Sequence, residues 1–332
     1  MPMKKTDPNR EGILNAPFTN REGILNAADS NREGILNAAD SNREGIIIKG
    51  VGGAYTVLAN GIPYVCTARG VFRNRNMTPM VGDDAIITVT NNEKRLGTLH
   101  TIKPRKNTLR RPPVANIDQV IITVATAQPS FNAGLLDRFL ALVAYAGIPA
   151  LICVNKLDIK ENDNSFTPYI NAGYPLVYTS ALTHQGLSNL RGHMAGKTNV
   201  FAGPSGVGKS SLINALSPKL QLETGELSKK LDRGKHTTRH SEIFPLTNDP
   251  SGGYCVDTPG FTSLDITTIP KNQLGDLFLE FEPFAPQCRF NNCLHHHEKD
   301  CAVKAQVGQA ISPARYESYV KMLEDNGHNK RG

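Results

Sequence analysis

The sequence predicts a multidomain chain. Its parts are a small β-barrel of OB type, an α/β domain around a phosphate-binding loop with its motifs in circularly permuted order, and a helical, metal-binding C-terminal part. Three observations predict it. Gly203-Pro-Ser-Gly-Val-Gly-Lys-Ser-Ser211 fits G-x-x-x-x-G-K-[ST]. A base-reading tetrapeptide, Asn155-Lys-Leu-Asp158, precedes that loop instead of following it. Three cysteines and a histidine (Cys288, Cys293, His295, Cys301) crowd together near the C-terminus.

A chain of 332 residues has room for two or three domains and at least one sizeable core. Composition is ordinary for a globular protein, apart from the absence of tryptophan. The net charge of +7 and the pI of about 9.0 favour a polyanionic partner. No apolar run approaches membrane-spanning length, and Met1-Pro-Met-Lys-Lys5 leads into no secretory segment, so a cytoplasmic protein is expected. Cys66, Cys153 and Cys255 sit singly in apolar runs and read as buried reduced thiols.

Residues 1–44 are expected to form a flexible tail. Asn9-Arg-Glu-Gly-Ile-Leu-Asn-Ala16 recurs from Asn20 and Asn31 and begins again at Asn42, a period of eleven residues. A glycine in every unit argues against a long helix, and units so poor in bulky apolar residues cannot bury a core. Residues 45–112 then read as the OB-type barrel. The β-rich runs Ile46–Ile48, Ala54–Leu58, Tyr64–Ala68, Ala85–Thr90 and Leu96–Ile102 alternate with Gly, Asn and Asp turns. Eleven basic residues oppose three acidic ones in this block, a net +8, which suits an RNA-facing surface.

From residue 113 to 276 strands and helices alternate, the pattern of a parallel α/β domain: strand Gln119–Ala125, helix Ala133–Ala146, strand Ala150–Val154. The last strand ends in Asn155, Lys156, Leu157 and Asp158. A carboxylate at Asp158 accepts from guanine N1–H and the exocyclic amine, whereas adenine would leave it unpaired. Asn155 can bond the major-groove edge of the purine, and Lys156 can lay its stem over the base. A further run, Pro175–Tyr178, leads into Thr179, Ser180 and Ala181, whose backbone can donate to guanine O6.

The strand-like Thr198–Ala202 and the helix start at Ser211–Leu216 frame the glycine loop, the context its pattern requires. Gly203, Pro204, Ser205, Gly206, Val207, Gly208 and Ser211 supply a backbone that wraps a triphosphate. Lys209 reaches the β- and γ-phosphates, and Ser210 can ligate Mg²⁺. In Gly234-Lys-His-Thr-Thr-Arg239, Thr237 or Thr238 can complete the Mg²⁺ shell. Asp257-Thr-Pro-Gly260 fits D-x-x-G, an aspartate near Mg²⁺ and a glycine whose N–H senses the γ-phosphate. Together these signatures indicate GTP. Base-reading elements normally follow the phosphate elements, so the domain must be permuted.

Residues 277–332 carry C-x₄-C-x-H-x₅-C. Three thiolates and one imidazole suit a closed, structural Zn²⁺ site, although His296 and His297 could each replace His295. Ile311–Asn326 reads as an amphipathic helix.

Taken together, these features resemble the ribosome small subunit-dependent GTPase A family over roughly residues 45 to 326. The resemblance rests on the permuted motif order, on Arg233-Gly-Lys-His-Thr-Thr238, and on the Cys288–Cys301 finger. It implies a Mg²⁺-dependent GTPase that binds the small ribosomal subunit and its rRNA, acts in late subunit maturation, and hydrolyses GTP on subunit stimulation. A monomer is expected. After Gly260 stands Phe261, an apolar residue that cannot orient water; the resemblance points to His236 for that task, with Lys209 as the other catalytic group. The same Phe261 keeps an alternative open, an RNA-binding assembly module that uses GTP only as a conformational clamp.

Overall fold

The computed structural model describes residues 42–68, 72, 77–110, 113–160, 164–217, 241–246, 252–257 and 266–328. Its first part is a barrel: β1 (Asn42–Val51), β2 (Ala54–Ala59), β3 (Ile62–Ala68), β4 (Asp84–Asn91) and β5 (Leu96–Ile102). The strands run in the order β1-β2-β3-β5-β4, and β4 pairs back onto β1, so no edge is left inside it. Alternate residues point inward, and Ile47, Val57, Tyr64, Cys66, Ile87 and Leu99 fill the interior. The barrel begins earlier than the sequence suggests. Asn42, Arg43 and Glu44, expected in the tail, are the first residues of β1.

The charge count also changes on folding. Lys49 pairs with Glu242, Lys103 with Glu44, and Lys106 with Asp118, all acids outside the block counted above. Arg105 grips the buried Asp83 with Nε at 2.6 Å and Nη2 at 2.8 Å. The basic face is therefore smaller than the sequence total.

A hairpin that sequence patterning did not reveal, β6 (Thr108–Arg110) with β7 (Pro113–Ala115), links the barrel to the α/β domain. There follow β8 (Gln119–Ala125), α1 (Ala133–Tyr145), β9 (Ala150–Asn155), α2 (Thr167–Asn171), β10 (Leu176–Tyr178), α3 (Leu187–Met194), β11 (Thr198–Ala202), α4 (Lys209–Leu216), β12 (Glu242–Pro245) and β13 (Tyr254–Asp257). Asn132 starts α1 by accepting the Leu135 N–H, and Leu136, Phe139, Leu140 and Val143 form its apolar stripe.

The domain's strands run β10-β9-β8-β11-β13-β12. Neighbours are parallel except β12, which pairs antiparallel with β13 and, on its other side, with β1 of the barrel, a departure from the all-parallel expectation. On β8 the alternation is clean: Val120, Ile122 and Val124 face α1, while Ile121 faces α3 and α4. Both faces are covered, so β8 is buried throughout. The phosphate-loop strand β11 lies mid-sheet, with earlier strands on one side and later ones on the other, the spatial trace of the permutation. The two domains join where Lys49 of β1 pairs with Glu242 of β12.

The C-terminal part is helical: α5 (Lys271–Leu274), α6 (Ala302–Ala305) and α7 (Pro313–His328), with single 3₁₀ turns at Ile266–Thr268, Gly275–Leu277, Leu279–Phe281 and Ala285–Gln287. Phe278, Phe281, Tyr319, Met322 and Leu323 form its core with Ala141 of α1. No helix among the described residues is long and apolar enough to cross a membrane.

Candidate functional site

The candidate nucleotide site lies at the carboxyl ends of the parallel strands, the usual ligand crevice of an open α/β sheet. Strand β11 ends at Ala202, and the chain turns at Gly203 with φ +131°. A Cβ there would stand 2.1 Å from the Thr123 carbonyl oxygen, so only glycine lets the loop leave the sheet at this point. The loop delivers Lys209 and Ser210 into the first turn of α4, where backbone N–H groups and the helix dipole favour an anion. The Lys209 ammonium donates to the carbonyls of Gly203 at 2.9 Å and Pro204 at 2.7 Å. Burial lowers its pKa from the ordinary lysine value. The cation is thus partly stripped of water and held by weak dipoles that phosphate oxygens can replace.

Strand β9 brings the second motif beside this loop. The buried Asn155 donates from Nδ2 to the Val207 carbonyl at 2.9 Å. Its Oδ1 accepts from the Ala181 N–H at 3.1 Å and the Thr179 hydroxyl at 3.3 Å. One side chain therefore ties phosphate loop, base motif and the 179–181 loop together. Sequence reasoning assigned Asn155 to the purine edge; its oxygen is fully engaged within the protein, leaving one amide N–H for a base. Lys156, with φ +68°, donates to the Gln128 carbonyl, a contact no motif announced. Asp158 is exposed, and the buried Ser180 donates to its Oδ1. Ser180 in turn accepts from the Thr183 N–H at 3.1 Å, which fixes the hydroxyl's direction. Leu157 donates its N–H to the Thr179 carbonyl.

A separate cluster lies in the C-terminal part. One ligand atom from each of Cys288, Cys293, His295 and Cys301 falls within 4.8 Å of the others. His295 Nδ1 is 3.5 Å from Cys288 Sγ and 3.4 Å from Cys301 Sγ. The histidine register is settled by backbone. His295 is buried at φ +53°, its carbonyl held by the Tyr316 hydroxyl at 2.7 Å. His296 and His297 instead stack on each other. Glu298, against the cost of burial, is held down to about pKa 2 by the N–H groups of Leu294 and His296 and so clamps the ligand loop. Burial lowers the His295 pKa, which keeps the ring neutral, the form that ligates. Burial and two neighbouring sulfurs push the Cys293 thiol up to about 12. Three thiols converging with a neutral imidazole, two of them (Cys293 and Cys301) pushed up by burial, fit a cation that would take up the thiolate charge.

A model described as RsgA GTPase matches residues 102–267, and one described as RsgA N-terminal domain matches residues 44–96. The chain belongs to the RsgA GTPase family. A member from Alkaliphilus metalliredigens, named small ribosomal subunit biogenesis GTPase RsgA, is 45% identical over 86% of this chain and 98% of its own length. One of the same name from Bacillus subtilis is 42% identical over 84% of this chain and 96% of its own. Among solved structures, YjeQ from Thermotoga maritima superposes with a TM-score of 0.75 at 35% identity, covering 86% of this chain and 99% of that one. YloQ, described as a circularly permuted GTPase, gives 0.74 at 37% identity over 88% and 97%.

The family's GTPase domain here gathers Asn155–Asp158, Thr179–Ala181 and Gly203–Ser211 at one end of the sheet, and β13 ends there at Asp257. His236, Thr237, Thr238, Gly260 and Phe261 lie outside the described residues. The sequence places Val207 in the phosphate loop but does not show that its carbonyl holds Asn155, and it does not single out Gln128, whose carbonyl holds Lys156, or Glu298. Backbone acceptors leave no residue-type signal, so no pattern could have found the first two.

Proposed function

We propose that this chain hydrolyses GTP to GDP and phosphate when it engages the small ribosomal subunit, during late maturation of that subunit. The observation that carries the reading is the Asn155 tie, which makes a guanine reader and a phosphate cradle one crevice. The relatives' shared name, small ribosomal subunit biogenesis GTPase, supplies the setting.

Asp158 selects guanine through its two donors, with the Lys156 stem against the base. The α4 N-terminus and Lys209 draw charge from the β- and γ-phosphates as the terminal bond breaks. Ser210, Asp257 and Thr238 are the residues that would hold Mg²⁺. Bound there, the ion would neutralise the phosphate oxygens. His236 orients the attacking water, a task Phe261 cannot perform, and Gly260 senses the γ-phosphate. Cys288, Cys293, His295 and Cys301 are the residues that would hold one structural Zn²⁺. The remaining basic face of the barrel meets rRNA, and the protein works as a cytoplasmic monomer.

The test is GTP turnover with purified small or large subunits at two salt concentrations. Small subunits alone should stimulate, and less so as salt rises, because phosphate contacts release counterions. His236→Ala should lose subunit-stimulated kcat while nucleotide affinity stays near that of the natural protein. If Lys209→Ala and the natural chain turn over equally slowly with saturating small subunits, the enzyme reading fails and the clamp remains.

A further inference from the structure

The barrel's first strand opens with the fourth copy of the tail repeat. Asn42-Arg-Glu-Gly-Ile46 matches Asn9–Ile13, Asn20–Ile24 and Asn31–Ile35 residue for residue. This pentapeptide is also the part of β1 that pairs with β4, from Asn42 opposite Thr88 to Ile46 opposite Asp84. The seat reads each residue. Asn42 Oδ1 accepts from the Thr88 hydroxyl at 2.8 Å. The Arg43 guanidinium donates to the Tyr64 hydroxyl, which itself donates to Asn92 at 2.9 Å. Glu44 takes the Lys103 ammonium at 2.7 Å. Gly45 lies so close to β2 that a Cβ would stand 2.4 Å from the Leu58 carbonyl oxygen. Ile46 packs against the core that α1 and the sheet share.

We propose that this seat is a binding site for the sequence N-R-E-G-I, and that an upstream copy in the same chain can occupy it in place of residues 42–46. Every contact above would be reproduced, because every side chain is the same. The rest of β1 is not duplicated. Where β1 has Ile47, Ile48 and Lys49, the copy from Asn31 continues with Leu36, Asn37 and Ala38. Sliding the whole strand would set an amide where Ile48 packs and remove the Lys49 link to Glu242. The exchange is therefore confined to the pentapeptide: Ile47–Val51 keep their pairing with β2, and the chain between the new occupant and Ile47 bulges out.

Closing a loop of about eleven residues costs a factor of roughly forty in population, so the resident copy dominates in the natural chain, and farther copies rank lower. What the duplication changes is the consequence of damage. A substitution in residues 42–46 cannot weaken the barrel beyond the point at which the nearest spare copy takes over.

Full-length chains carrying cysteine pairs test this. The paired positions Asn42→Cys and Thr88→Cys should cross-link under mild oxidation, and Asn31→Cys with Thr88→Cys should do so roughly forty-fold less. Adding Gly45→Val should reverse the two yields, with the bond located by peptide mass. In chains without added cysteines, Gly45→Val should lower Tm by less than the joint change of Gly12, Gly23, Gly34 and Gly45 to Val. Four outcomes would overturn the proposal: no bond from position 31 to 88 in the Gly45→Val chain, equal Tm losses for the single and quadruple variants, a Gly45→Val chain that does not fold, or a bond formed only between two molecules.

Discussion

A single buried amide decides whether two motifs act as one site. Asn155 spans from Val207 to Thr179 and Ala181, so the Asn155–Asp158 motif proposed to read the base is tied to the phosphate loop. Beside it, Asp158 is aimed by Ser180, and its value to the site is acceptor chemistry alone. Asp158→Asn would oppose an amide donor to guanine's two donors. GTP affinity should fall roughly tenfold to hundredfold, the cost of one or two unpaired polar groups. The same amide suits the 2-oxo group of xanthine, so XTP should bind better than it does to the natural protein. Competition titrations with a fluorescent nucleotide would show both changes; an unchanged GTP affinity would remove Asp158 from the base. The tetrapeptide was legible because its four residues adjoin in sequence. The tie was not, because Val207 lies 52 positions away and contributes only a carbonyl.

At the level of elements, the Cys288–Cys301 finger lacks the strands or long helices that would hold it by hydrogen bonding alone. Its four candidate ligands pack with Phe281, Tyr316 and Tyr319, and the hydroxyls of Tyr316 and Tyr319 donate to the carbonyls of His295 and Leu294. Removing the metal by chelation, or replacing Cys301 with Ser, should therefore unfold this element and lower Tm. Hydrogen exchange should rise across residues 288–305 before it rises in β8 or β11. Protection retained there in metal-free protein would contradict a structural role for zinc. The ligand spacing was readable from the sequence, but the choice of histidine depended on the backbone turn at His295. The strand β12, which bridges β13 and the barrel, is not legible in the sequence because four residues ending in Pro245 carry too little pattern. The start of β1 was hidden because its residues look like more of the tail.

At the scale of the whole molecule, one buried cluster fixes which half of the GTPase domain carries the C-terminal part. Arg315 of α7 is 2% exposed. It grips Glu280 with Nε at 2.7 Å and Nη2 at 2.9 Å, and donates to Asp137 of α1. The rings of Tyr169, Tyr174 and Phe278 lie 4.8 to 5.5 Å from its guanidinium carbon. Arg138 of α1 adds an ion pair to Asp325. Tyr169 and Tyr174 lie between β9 and β10, the two strands that end in the guanine elements, so the cluster ties the C-terminal part to the base-reading half. Strand β13, which ends at Asp257, lies on the other side of β11 in the sheet order. Arg315→Ala leaves two buried carboxylates without their cation and should cost about 3–5 kcal/mol. Replacing the group together (Arg315→Met, Asp137→Leu, Glu280→Met) removes the charges as well as their attraction, and should recover most of that loss. Guanidinium unfolding measures both, and isotherms for GTP should change little, since the cluster touches no predicted nucleotide contact. If the triple variant is no more stable than Arg315→Ala, the loss comes from packing of the guanidinium among the three rings. The ionic anchor would then be the wrong account.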